Sequence, residues 1–110
     1  MSLYSKYVTE RTNKQILETE YGFATYNFPD ATTVYIEDIY VLPEHRKSGL
    51  AAAIANEIVV IAKEKGCTQI LGSVVPTANN STDSLKVLLA YGMKLRNCSN
   101  DFIVFQKDII

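Results

Sequence analysis

The chain has 110 residues, 47% of them apolar and 21% charged, and carries a net charge of −1 with no long run of one sign. One domain over residues 1–110 is the default at this length, with roughly two-thirds of the unfolded surface buried. The profile is that of an ordinary soluble globular chain and lacks the basic balance of a general nucleic-acid binder.

No apolar run reaches the roughly 20 residues that span a bilayer. The N-terminal stretch MSLYSKYVTE has no signal-peptide core, so a cytoplasmic chain and no membrane partner are expected. Cys67 and Cys98 have no close second pair and His45 is the single histidine, which excludes a structural zinc site. The two cysteines have the option of bridging, but a reduced chain is the simpler reading. No metal is expected.

In chain order, Leu3 to Glu10 reads as a strand, because it is rich in aromatic and β-branched residues. Gln15 to Phe28 reads as a long strand, broken or bulged near Gly22, and Pro29 to Ala31 as a turn. Thr32 to Leu42 is a third strand, so the first part of the chain is an antiparallel meander. In that third strand Val34 and Ile36 share one parity while Ile39 and Val41 share the other. The slip at Glu37-Asp38 means either a bulge or a strand buried on both faces.

After Pro43 the period changes. Leu50, Ile54, Ile58, Ile61 and Ala62 define an amphipathic helix closed by Gly66. Thr68 to Val75 is a buried strand, completing a right-handed βαβ unit. A loop with Ser81 or Thr82 as N-cap leads to a second helix, Ser84 to Tyr91, closed by Gly92. Met93 to Arg96 suits a short strand and Phe102 to Lys107 a clear last one. The fold class is α+β, a mixed sheet with helices packed on it.

The junction between the third strand and the first long helix reads His45-Arg46-Lys47-Ser48-Gly49. A helix N-terminus offers unpaired N–H groups and partial positive charge, and so binds anions. Gly49 lets an anion approach the backbone, Arg46 and Lys47 add charge, and Ala51, Ala52 and Ala53 keep the first turn slim. The same features also serve a plain turn with solvated cations. GxxxxGK[ST] and GxGxxG are both absent.

Arg46-Lys47-Ser48-Gly49-Leu50-Ala51 resembles the R/Q-x-x-G-x-G/A signature of the GNAT N-acetyltransferases, and Tyr91-Gly92-Met93 stands where that family has Leu-Gly-Phe. The likeness covers roughly residues 15 to 107. Tyr35 to Arg46 is also similar to the polyamine (diamine) acetyltransferase branch. The resemblance implies a GNAT-like sheet with acetyl-CoA as cosubstrate and no metal. The backbone of Ile39, Tyr40 and Val41 would receive the pantetheine arm, in a gap opened beside Val74. The amides of Lys47, Ser48, Gly49, Leu50, Ala51 and Ala52 would hold the diphosphate.

It also implies chemistry. A primary amine of pKa near 10.4 is neutral in only about one molecule in 2,500 at pH 7. Glu37 is the candidate base, and Asp38 a group that attracts a cationic substrate; the bland alternative is a pair of rim carboxylates. The family's tyrosine acid, four residues before the closing glycine, falls on Leu88. Tyr91 is the substitute acid, or else an aromatic packed at the helix end. Cys67 and Cys98 read as structural, which favours direct attack on the thioester.

Family members begin with a strand and two helices that wall the acceptor site, and residues 1 to 14 supply a strand at most. Six of the seven tyrosines lie in the first 40 residues, so a homodimer is expected to cover that side. The expected function is acetyl transfer to a small primary amine; the alternative is a non-catalytic acyl-CoA-binding module.

Overall fold

The structure, a computed structural model, describes residues 2–46, 48–74, 81–99 and 102–109. Its elements in chain order are α1 (Leu3–Thr12), β1 (Gln15–Glu18), β2 (Gly22–Asp30), β3 (Thr33–Val41), α2 (Leu50–Glu64), β4 (Gln69–Val74), α3 (Ser81–Ala90), β5 (Lys94–Ser99) and β6 (Phe102–Asp108). A 3-10 turn, Pro43–His45, follows β3 on the way to α2. The described strands form one sheet in the order β1-β2-β3-β4-β6-β5, in which, among the described residues, only the β3–β4 pair is parallel. This is the mixed α+β sheet expected from the sequence.

The first element corrects the sequence reading. Leu3–Thr12 is a helix, not a strand. The Ser2 side chain caps it by accepting from the Ser5 N–H, and Asn13 closes it in the left-handed conformation at φ 60°. Ser5 is fully buried against the rest of the chain, and Ser2 Oγ donates to Glu18 Oε1 at 2.7 Å. Caps and docking outweigh the strand preference of Tyr4, Tyr7 and Val8.

The long strand from Gln15 is in fact the hairpin β1–β2. It folds over where the Thr19 N–H and hydroxyl both donate to the Gly22 carbonyl. Gly22 is obligatory there, because a Cβ would lie 2.4 Å from the Tyr40 carbonyl oxygen. Gly22→Ala is therefore expected to destabilise by about 1–3 kcal/mol or more, through backbone displacement in β3; urea unfolding midpoints measure it. The next turn is also later than expected: β2 runs on through Pro29 to Asp30. The Asp30 carboxylate accepts from the Thr32 N–H at 2.9 Å, which holds its pKa below the ordinary value.

The parity slip in β3 is a bulge. Thr25 pairs with Asp38 and Tyr26 with Ile36, so Glu37 is the extra residue. The bulge lets Val34, Ile36, Ile39 and Val41 all contribute to one core. That core lies under α2 and α3. A Cβ on Gly22 would reach Ile54 of α2, and one on Gly72 would reach Leu88 of α3. Gly22 and Gly72 share a face through the pairs Tyr26–Ile36 and Ile36–Gly72. The other face carries Ile16, Phe23, Thr25, Asn27, Tyr35, Asp38 and Tyr40, with α1 packed at its β1 end.

α2 ends as expected: Lys65 precedes Gly66 at φ 89°. Gly92, at φ 90°, closes α3. The residue before Ser81 lies outside the described residues, as do Lys47 and Val75.

Candidate active site

The parallel ladder between β3 and β4 runs from Thr33–Gln69 to Ile36–Gly72 and stops at the bulge. Past that point β3 pairs with β2 alone, and the two parallel strands part. Tyr35 and Ser73 hydroxyls are hydrogen-bonded just before the parting, pinning the strands together.

The direction of the freed backbone follows from one bond. The Leu42 N–H donates to the Tyr21 carbonyl at 2.8 Å, which makes that pair the hydrogen-bonded kind. Antiparallel pairs alternate. The peptide groups of Tyr40 therefore turn toward β2, while those of Ile39 and Val41 turn toward the gap. Of the three residues expected to offer backbone to a pantetheine arm, Ile39 and Val41 turn their peptides away from β2 and Tyr40 turns its toward it. The Tyr40 ring instead lies against Phe23, with the Arg46 guanidinium carbon 5.6 Å from its centroid. Val74 has its side chain buried in the core, so only its backbone borders the gap.

The gap leads to the start of α2. Gly49 is the N-cap residue, left-handed at φ 84°, and no side chain caps the helix. A Cβ on Gly49 would meet nothing within 4 Å, so the space beside Gly49 itself, ahead of the first turn of α2, is open among the described residues. A diphosphate fits this arrangement. Arg46 Nε donates to the Val41 carbonyl at 2.9 Å, which sets the guanidinium across the end of β3. The Ser48 hydroxyl is turned back to the His45 carbonyl, and His45 stacks on Tyr21. The end of the β3–β4 ladder thus places outward-facing peptides of β3 in the same junction as a helix start with no side-chain cap.

Glu37, extruded by the bulge, has both carboxylate oxygens engaged. Lys14 Nζ lies 2.7 Å from Oε2, and Asn27 Nδ2 donates to Oε1 at 3.1 Å. The pKa of Lys14 is raised, first by its hydrogen bond and charge contact with Glu37 and then by Asp38 and Tyr4. Asp38 is exposed on the face opposite α2, opposite Thr25. Neither Lys14 nor Asn27 is conspicuous in the sequence. Only the β1–β2–β3 register, with Gln15 opposite Tyr26 and Asn27 opposite Tyr35, brings them to the bulge.

Tyr91 is placed elsewhere. Its hydroxyl donates to Asn56 Oδ1 of α2 at 2.6 Å, and Lys107 Nζ lies over its ring and donates to its carbonyl. Burial raises its pKa, which weakens it as a proton donor. It sits among α2, α3 and β6, and the structure does not bring it to Glu37. Leu88, at the position of the family tyrosine, covers Gly72 at the last rung of the ladder. Tyr91→Phe is expected to cost about 1 kcal/mol of stability and to leave turnover within about twofold; thermal melts and initial rates check both.

Cys67 is buried, its thiol pushed up by burial, and Cys98 is exposed on β5. Among the described residues no cluster of His, Cys, Asp and Glu is placed to hold a metal, and no helix is long and apolar enough to cross a membrane.

The chain spans 42% of the length of the bovine (Bos taurus) thialysine N-epsilon-acetyltransferase, to which 71 residues, 61% of this chain, are 34% identical. An aminoglycoside N(6')-acetyltransferase type 1 from Acinetobacter haemolyticus is 38% identical over 55 residues, which are 49% of this chain and 38% of that protein. Among solved structures, a GNAT family acetyltransferase from Elizabethkingia anophelis with acetyl-CoA bound superposes at a TM-score of 0.73. The match covers 97% of this chain and 85% of that one at 16% identity. The sequence profile of the Acetyltransferase (GNAT) family matches residues 16–91, from β1 through the end of α3. The parted parallel strands and the open helix start both lie inside that span, and the chain belongs to the GNAT acetyltransferase family.

Proposed function

We propose that the chain transfers an acetyl group from acetyl-CoA to a small primary amine by direct attack on the thioester. The observation that carries this reading is the end of the β3–β4 ladder, where the peptides of Ile39 and Val41 turn away from β2, beside the uncapped start of α2; the Val41 carbonyl there is held by Arg46. In this reading the arm lies along β3. The amides from Ser48 to Ala52, with Lys47 and Arg46 beside them, hold the diphosphate. Glu37 takes the proton of the incoming ammonium, and Asp38 attracts the cation. Thialysine and aminoglycoside acetyltransferases, both named for amine acceptors, support the acceptor class.

The thiolate leaves without help from Tyr91. A thiol of pKa about 8.5 departs unprotonated at a cost of about 2 kcal/mol at pH 7. The reading sets the reaction in the cytoplasm. It includes a homodimer formed through α1, whose Leu3, Tyr4 and Tyr7 are exposed; sedimentation equilibrium, with one species at the monomer mass, would remove that part. Titration with acetyl-CoA by calorimetry, followed by thiol release with spermidine and lysine, tests the whole. Binding with release is expected. Binding without release from any amine favours the non-catalytic acyl-CoA-binding module, and no binding at high micromolar acetyl-CoA overturns both.

A further inference from the structure

An amine already stands on Glu37. Lys14 follows Asn13, the left-handed residue that closes α1, and precedes Gln15, the first residue of β1. The turn at Asn13 and the pairing of Gln15 with Tyr26 fix the backbone on both sides of Lys14. Its ammonium is set 2.7 Å from the carboxylate that the bulge extrudes, while Asn27 steadies the other oxygen. The Lys14 side chain keeps 37% of its surface exposed, so it is not locked into the core. A flexible methylene chain ending in a primary amine, held on the bulge carboxylate next to the last β3–β4 pair, is the chemistry of the acceptor class itself.

We propose that Lys14 is a self-acetylation site, its ε-nitrogen taking the acetyl group from acetyl-CoA bound to the same molecule. This rests on the reading of Glu37 as the base. The nitrogen forms a bond to the thioester carbonyl carbon, and the C–S bond breaks with its electron pair leaving on the CoA sulfur. Of the ammonium's three protons, one passes to Glu37 and on to solvent, one ends on the thiolate and one stays on the amide. The product amide is neutral, so the ion pair dissolves and Glu37 is left to an external amine. The tether replaces a bimolecular encounter with an intramolecular one.

The test uses the full chain with acetyl-CoA and no added amine, with acetylation followed peptide by peptide in a mass spectrometer. Lys14 is expected to react about 10²-fold faster than the exposed Lys63 and Lys94. The rate per molecule is expected to be independent of protein concentration. It should fall to the level of Lys63 in Glu37→Gln and vanish at that position in Lys14→Arg. Lys14 reacting no faster than Lys63 and Lys94, or a fast rate that survives Glu37→Gln, overturns the proposal. Thiol release with spermidine, run in parallel, separates the two readings. Glu37-dependent release with Lys14 unmodified sinks self-acetylation alone, and no release with Lys14 unmodified sinks both.

Discussion

Gly49→Val is expected to weaken acetyl-CoA binding by at least about a hundredfold while the chain stays folded. The size follows from what the side chain displaces. A phosphate oxygen at a helix start accepts charge-assisted hydrogen bonds of about 1.5–3 kcal/mol each. Two of them lost amount to about 3 kcal/mol or more, past a hundredfold in Kd. The open volume in front of Gly49, where a Cβ meets no protein atom, is where the branched side chain would project. A left-handed valine also costs about 1–2 kcal/mol of stability, so loss of binding alone would be ambiguous. Gly66 supplies the control. It lies at the other end of the same helix, at φ 89°, also with nothing within 4 Å of a Cβ. Gly66→Val should cost similar stability and leave calorimetric binding unchanged. Equal binding losses in both variants would remove the anion cradle from this junction.

The junction and the bulge were legible because each leaves a local mark. A phase slip between Ile36 and Ile39 records the extra residue in β3 whatever it pairs with. Glycines at 49, 66 and 92 mark three helix boundaries, and all three have positive φ. What stayed hidden depends mostly on contacts with residues distant in sequence, although the caps of α1 are local. Tyr4, Tyr7 and Val8 favour a strand by propensity. Leu3–Thr12 is a helix because Ser2 and Asn13 cap it and Ser5 is buried against the rest of the chain. Tyr91 reads equally well as an acid or as packing until Asn56, 35 residues away in the chain, accepts its hydrogen bond. The occupancy of Glu37 by Lys14 and Asn27 likewise waits on the hairpin register. The site's outline is local in sequence, whereas its electrostatics are assembled across β1, β2 and β3.

That assembly gives Glu37→Gln an expected signature in two independent measurements. Turnover with a small amine should fall by about 10²–10⁴-fold, the usual contribution of a positioned base. The affinity for acetyl-CoA should not change, because Gly49 and the peptides of Ile39 and Val41 are untouched. Folding stability near neutral pH should move little, since an ion pair with a solvent-exposed partner contributes little. The second signature is at high pH. Glu37 holds the Lys14 pKa above its ordinary 10.5. A cation with a raised folded pKa contributes stability in full below the unfolded value and loses it as pH rises through the folded one. The natural chain should therefore lose this increment above about pH 10.5, and Glu37→Gln should lack that loss. Unchanged turnover together with the altered alkaline profile would leave the ion pair as a structural clasp between the α1–β1 junction and the bulge, and would move the base elsewhere. A fall in turnover with intact acetyl-CoA binding would place proton removal at the one residue that the bulge pushes out of the ladder.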